Sequence, residues 1–213
     1  RPHVAVVHGT DGALLARAPG WARRAVLHGA TRVWCSHAGL RDALGLHASR
    51  CWVGPMGFDP PSAASTVREL GRVVSLGRLV PVKRPVLGLE GVLRARTEGH
   101  PLTITLLGDG PLRGRLEALA TNAPPGAVAF AGAVDAAARD AWLARAELLV
   151  HTAGRVAGWR TEGAPMAVIE AMAAGAAVVA TEGGGVAELV GDAGVVLPGD
   201  ADAAAVGAAP GWK

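Results

Sequence analysis

Four charged side chains in this 213-residue chain, two cations and two carboxylates, are spaced so that they could hold one extended ligand. The run Gly77-Arg78-Leu79-Val80-Pro81-Val82-Lys83-Arg84 follows the apolar stretch Val73–Leu76. Gly77 allows the backbone to turn sharply there, so Arg78 and Lys83 can both point into a crevice at a strand end. Two converging cations suit a diphosphate, Arg through its planar fork and Lys as a point charge. Lysine occurs only at Lys83 and Lys213, so Lys83 is the single internal one in an arginine-rich chain. Taken alone, such a loop reads as a basic turn in solvent.

The carboxylates come from a second run, Thr161-Glu162-Gly163-Ala164-Pro165-Met166-Ala167-Val168-Ile169-Glu170-Ala171-Met172. Gly163 and Pro165 are expected to open a helix over Ala164–Ala173, because proline fits a first turn where its missing N–H costs nothing. The free amides at that start, Gly163 and Ala164 among them, together with the positive end of the helix dipole, make an anion site. Eight helical residues at 1.5 Å each separate Glu162 from Glu170 by roughly 12 Å. Carboxylates that cooperate at one glycosidic bond stand about 5–9.5 Å apart, so this spacing suits a ligand gripped at two ends. Glu170 has Val168, Ile169, Ala171 and Met172 as neighbours, which look buried, and a charge among them needs a partner.

Two glycine turns complete the set. Leu107-Gly108-Asp109-Gly110-Pro111-Leu112 joins a strand to a helix, and Gly183-Gly184-Gly185 precedes Glu188. A lone glycine-rich turn could signal a dinucleotide fold. Here it follows the second strand of its domain, and no acidic residue ends the next strand to bind a ribose, so a nicotinamide-dependent dehydrogenase ranks last.

The elements that must position these residues alternate short β-rich runs with Ala/Leu-rich amphipathic stretches, the pattern of parallel βαβ units. Strands are expected at Val4–Val7, Thr31–Cys35 and Arg50–Val53, with helices at Arg17–His28 and His37–Leu44. Strands at Val73–Leu76, Leu102–Leu107, Val128–Phe130, Leu148–His151, Ala177–Ala180 and Val195–Leu197 then enclose helices at Pro85–Arg96, Leu112–Ala120, Ala136–Ala144 and Ala164–Ala173. The prolines of Gly54–Ala64 permit neither element, and that segment reads as a linker. The expected class is α/β, with two Rossmann-like doubly wound domains. Residues 1–60 are expected to be a remnant of the first domain, 61–71 the link, and 72–213 the second domain. Ala201–Lys213 reads as an Ala-rich helix start, and both ends look cut from a longer chain. Ligands of such sheets bind at the carboxyl ends of strands, where the charged motifs fall.

Composition narrows the classes. Half the residues are apolar and 18% are charged, the balance of a globular protein. No apolar run reaches the roughly 18 residues of a membrane span, and the start lacks a signal-peptide pattern, so a cytoplasmic location is expected. A net charge of +3 with scattered arginines argues against a nucleic-acid surface. Cys35 and Cys51 are too few for a disulfide framework and have no metal-ligand spacing.

Together the motifs resemble the retaining glycosyltransferases of the GT-B fold, specifically glycosyltransferase family 4. The likeness rests on TEGAPMAVIEAMAAG, on GRLVPVK, on LLGDGPL and on VVAT followed by GGVAELV, in that order. The family's first domain often carries a His-Gly turn facing the donor sugar, matching His8-Gly9-Thr10-Asp11. The resemblance implies that Arg78 and Lys83 hold a donor diphosphate, with Gly77 and Gly108 forming the turns around it. It implies that Glu170 bonds the ribose hydroxyls, Glu162 contacts the transferred sugar, and His8 touches that sugar across the cleft. The amides of Gly163 and Ala164 would help hold phosphates or sugar. It also implies no metal and no cofactor besides the nucleotide-sugar donor. The acceptor is an unassigned sugar, lipid-linked sugar or small molecule, and peripheral membrane contact would come through the absent part of the first domain. The other readings are a sugar-nucleotide-binding fragment without catalysis and an epimerase of the same architecture. Thr152–Thr161, with Arg155, Trp159 and Arg160, is longer than the family's usual turn and is expected to face solvent.

Overall fold

The computed structural model describes residues 3–57, 67–154 and 162–212. The interior of the proline-rich link, Arg155, Trp159, Arg160 and Thr161 lie outside the described residues.

Strands β1 (Val4–Val7), β2 (Arg32–Cys35) and β3 (Cys51–Val53) form a parallel sheet in that order. Helices α1 (Gly9–Arg17), α2 (Gly20–Leu27) and α3 (Ala38–Ala43) connect them. The side chains of Val7, Val33, Cys35, Leu40 and Cys51 form a small core. Both cysteines are free and buried, and burial pushes the Cys35 thiol up to about 12. The helix expected over Arg17–His28 is α2, shortened to Gly20–Leu27, and a further helix, α1, precedes it where none was expected. Pro19 drives Ala18 into the extended region (φ −68°, ψ 151°), which ends α1 and starts α2. The expected turn His8–Asp11 also differs, since α1 begins at Gly9 directly after β1.

The second sheet is larger. It comprises β4 (Glu69–Leu76), β5 (Thr103–Leu107), β6 (Val128–Gly132), β7 (Ala146–His151), β8 (Ala177–Thr181) and β9 (Gly194–Leu197), all parallel. Their spatial order is β6-β5-β4-β7-β8-β9. Chain order therefore reverses between β4 and β7, and the crevice outside their carboxyl ends is the switch point where such sheets bind ligands. β4 begins at Glu69, inside the 61–71 link expected from sequence. Gly71 (φ +73°) passes the Pro101 carbonyl there, an approach that a side chain would block.

Alternation along each strand sends neighbours to opposite faces. Val73, Ile104, Leu106, Leu148 and Val150 meet α4 (Pro85–Thr97) on one face. Val74, Leu107, Leu149, Val178 and Ala180 meet α7 (Met166–Ala173) on the other. Three shorter helices, α5 (Arg113–Ala120), α6 (Ala136–Arg145) and α8 (Val186–Val190), complete the crossovers. α8 has too few residues for its periodicity to show in the sequence. The Ala-rich end forms α9 (Ala203–Gly207) and a turn at Pro210–Trp212, and Trp212 is buried in the core with its Nε1 donating to the Val206 carbonyl at 2.6 Å. Among the described residues no helix is long and apolar enough to cross a membrane.

Candidate functional site

The carboxyl ends of β4 and β5 are laced together by main chain. The Gly77 amide donates to the Leu107 carbonyl (2.9 Å), Leu79 N–H to Asp109 (2.9 Å) and Leu112 N–H to Leu79 (3.0 Å). A Cβ on Gly108 (φ +132°) would lie 2.0 Å from the Gly77 carbonyl oxygen. Gly108 is thus required for two backbones to touch, which fixes the GRLVPVK loop over the switch point.

That loop ends in a short helical turn, Pro81–Lys83. The Lys83 stem runs back over Gly77, and its Nζ meets Glu162 Oε2 at 2.5 Å. Each side chain is about one-fifth exposed. Two residues from separate motifs therefore face each other as an ion pair. Arg78 is exposed and makes no ion pair among the described residues, which leaves its guanidinium available to an incoming anion. Arg84, one residue beyond Lys83, has a different job. It sits in the left-handed region (φ 47°), and its guanidinium donates to the carbonyls of Gly199 (2.5 Å) and Ala201 (3.0 Å), tying the loop to the chain after β9.

α7 starts later than its sequence suggests. Pro165 is the extended N-cap and Met166 the first helical residue, so Gly163 and Ala164 precede the helix rather than open it. The 12 Å helical spacing of Glu162 and Glu170 consequently does not apply, because Glu162 lies before the helix rather than on it. That chain is held from two sides. The Gly163 carbonyl accepts from Gly185 N–H (3.0 Å), and Gly184 (φ +60°) packs so closely that a Cβ would stand 2.0 Å from the Glu162 carbonyl. From the first sheet, a Cβ on Gly163 would come within 2.7 Å of the Gly9 amide nitrogen. The turn carrying His8 is therefore brought against the segment carrying Glu162; His8 itself is an exposed, extended N-cap residue. Glu188 reinforces this meeting by accepting from the Ala38 amide at 2.8 Å.

Glu170 lies on α7, and the partner its burial demands is Arg139 of α6, whose Nη1 is 2.8 Å from Glu170 Oε1. Burial pushes the Glu170 carboxyl up, Arg139 draws it down, and Asp140 raises it again. The sequence shows the need for a cation but not its source, since Arg139 belongs to another helix.

His151 was also missing from the sequence reading. It ends β7 beside the β4 loop, buried, and its Nε2 has no partner among the described residues. Burial, and secondly the charge of Lys83, push its pKa down to about 3, so the imidazole beside the cation is neutral. Its position at a strand end at the switch point is the signal that could have found it.

A cleft of about 1130 Å³ among the described residues is lined by neither Lys83, Glu162 nor Glu170. It opens between α1, α3 and the chain following β8 and β9, with Arg17, His37, Glu182, Glu188 and Asp200 in its walls. The cleft shares Gly9 and Gly184 with the surroundings of Glu162 and Gly163, so it adjoins that segment.

The sequence model of the family described as glycosyl transferases group 1 matches residues 71–209. No curated protein sequence matches the chain. Among solved structures, a mutant of S. aureus TarM in complex with fondaparinux, alpha-GlcNAc-glycerol and UDP superposes with a TM-score of 0.72 at 17% identity, over 93% of this chain and 41% of that one. Anabaena Alr3699/HepE, in complex with UDP and glucose, gives 0.68 at 23% identity, over 97% and 60%. Sucrose-phosphate synthase from Thermosynechococcus elongatus gives 0.69 at 20% identity, over 96% and 57%. The chain thus spans between two-fifths and three-fifths of these proteins, and at such identities the likeness is one of fold, the α/β architecture of GT-B glycosyltransferases.

Proposed function

The chain belongs to the glycosyl transferases group 1 family, and from that premise we propose that it moves a sugar from a nucleoside diphosphate donor to an acceptor hydroxyl with retention of configuration, as members of glycosyltransferase family 4 do. The observation that carries this reading is the meeting of Lys83 with Glu162 at the sheet's switch point, with Arg78 exposed on the same loop. A diphosphate entering there takes Lys83 from Glu162 and recruits Arg78. Released from the cation, Glu162 becomes an acceptor for sugar hydroxyls. Glu170 accepts from the ribose hydroxyls, and His8 contacts the sugar from the first sheet. UDP in the TarM and HepE structures is a ligand of the same class; the nucleotide base here is not assigned.

Departure of the nucleoside diphosphate builds negative charge on a phosphate oxygen and an oxocarbenium-like sugar. Cations already fixed at that oxygen stabilise the transition state more than the ground state. In this reading they supply the charge that a metal ion would otherwise bring, and no side chain acts as a covalent nucleophile. The acceptor hydroxyl attacks from the face the leaving group vacates.

Incubation with labelled nucleotide sugars and a panel of acceptors tests the activity, and the anomer of the product against that of the donor tests retention. The two glutamates are expected to separate in binding. Glu170→Gln weakens every ribose-containing ligand by about tenfold, whatever sugar it carries. Glu162→Gln spares or improves the free nucleoside diphosphate, since Lys83 is released, and removes the extra affinity contributed by the sugar. If calorimetry finds the two variants alike across nucleoside diphosphates and their sugars, the two-ended site is wrong.

A further inference from the structure

Helix α6 contributes a charge cluster to the wall behind the donor site. Asp135 caps it by accepting from the Ala138 amide (2.8 Å), which fixes the first turn from which Arg139 projects. The Arg139 guanidinium is then held by Asp140, with Nε and Nη2 at 2.8 and 2.7 Å from Oδ1, while Nη1 reaches Glu170 Oε1 at 2.8 Å. The hydrogen bond from Arg139 falls on Oε1, and none reaches Glu170 Oε2 among the described residues. A guanidinium oriented by one carboxylate and presented to another is a geometric device, because its donors leave the plane in fixed directions.

We propose that Arg139 is the positioning residue for the nucleotide's ribose: it occupies Glu170 Oε1 and leaves Oε2 to accept from the vicinal hydroxyls. This rests on the ribose reading of Glu170. Arg139 touches no substrate and acts through the carboxylate. It also keeps that carboxylate ionised. Glu170 is only 13% exposed, and of the influences on it burial and Asp140 favour the protonated form while Arg139 opposes both. A protonated carboxyl has one oxygen fewer to accept with, so loss of Arg139 makes ribose recognition sensitive to pH.

The test is calorimetric titration of the protein with UDP, GDP and ADP and with their 2′,3′-dideoxy counterparts, at about pH 8 and about pH 6. Wild type is expected to prefer the ribose form by about tenfold at both. Arg139→Ala reduces that preference severalfold at the higher pH and abolishes it at the lower. Arg139→Lys keeps the charge and hence the wild-type pH profile, with a smaller preference because a point charge cannot reproduce the fork. Arg139→Gln keeps reach and donors without charge, and it decides the matter if the alanine variant does not fold. A preference in Arg139→Gln or Arg139→Ala equal to that of wild type at both pH values overturns the proposal while leaving the ribose reading intact. A wild type without preference overturns the ribose reading itself, and the role of Arg139 with it.

Discussion

Replacing Lys83 with alanine is expected to weaken nucleoside diphosphate binding by roughly 10- to 150-fold while leaving a bare nucleoside almost unaffected, since a charge-assisted hydrogen bond contributes about 1.5–3 kcal/mol. Lys83 is the residue for this test because its charge is held at the strand end by its surroundings. Its stem is laid over Gly77, its side chain is about one-fifth exposed, and its counter-charge is Glu162 at 2.5 Å. The measured loss is net of that exchange, because bound phosphate must displace a carboxylate. Removing Lys83 also breaks an ion pair whose two side chains are only about one-fifth exposed, so some loss of stability accompanies the loss of affinity. The double variant Lys83→Ala/Glu162→Gln removes that complication and should bind diphosphate as weakly as the single one. Calorimetry with nucleoside, monophosphate and diphosphate of one base gives the answer, and equal losses across the three would mean that Lys83 is not a phosphate ligand. Arg78→Lys should be harmful too, because the planar fork is lost while the charge stays.

The second large effect is on stability in acid. The His151 imidazole has its pKa pushed down from the ordinary 6.5 to about 3, chiefly by burial. Below pH 6.5 the unfolded chain takes up a proton there that the folded chain cannot, so this contribution to stability is complete above pH 6.5 and is lost as the pH falls toward 3. At about 1.4 kcal/mol per pH unit, the loss reaches about 2 kcal/mol by about pH 5. His151→Leu conserves volume, removes the unpartnered Nε2 and flattens this limb. The difference between wild type and variant, by denaturant unfolding from about pH 7 to about pH 5, isolates the histidine from the carboxylates that titrate in both. Curves that stay parallel over that range would show that His151 is protonated in the native state.

Much of the architecture is legible without coordinates because it depends on local patterns. Alternation such as Val73/Val74 and Leu148/Leu149 marks strands covered on both faces, and proline and glycine punctuate them. The run from Gly77 to Lys83 is legible as a tight turn leaving a strand end, because Gly77 can take the positive φ (+145°) that the turn requires. Glu170 is legible as a buried charge in need of a partner from the apolar residues around it. Local rules failed where two of them competed. Pro165 can serve as a first helical residue or as an N-cap, and Pro19 can start a helix or break one; the backbone takes the N-cap role in both places.

What tertiary structure alone decided is the pairing. Nothing near Glu170 in sequence points to Arg139, and nothing near Lys83 points to Glu162, because each partner arrives on a different crossover of the sheet. Strand order works the same way: placing β4 beside β7 puts His151 next to the Lys83 loop, although three helices and two further strands intervene in the chain. The Gly77–Gly108 and Gly9–Gly163 approaches are likewise invisible as contacts, though each glycine is visible as a residue. Sequence determines which residues have a charge to satisfy or a side chain to omit. The assembled sheets determine who satisfies it, because burial and Coulomb energies depend on distances through space, and those are set only when the strands take their order.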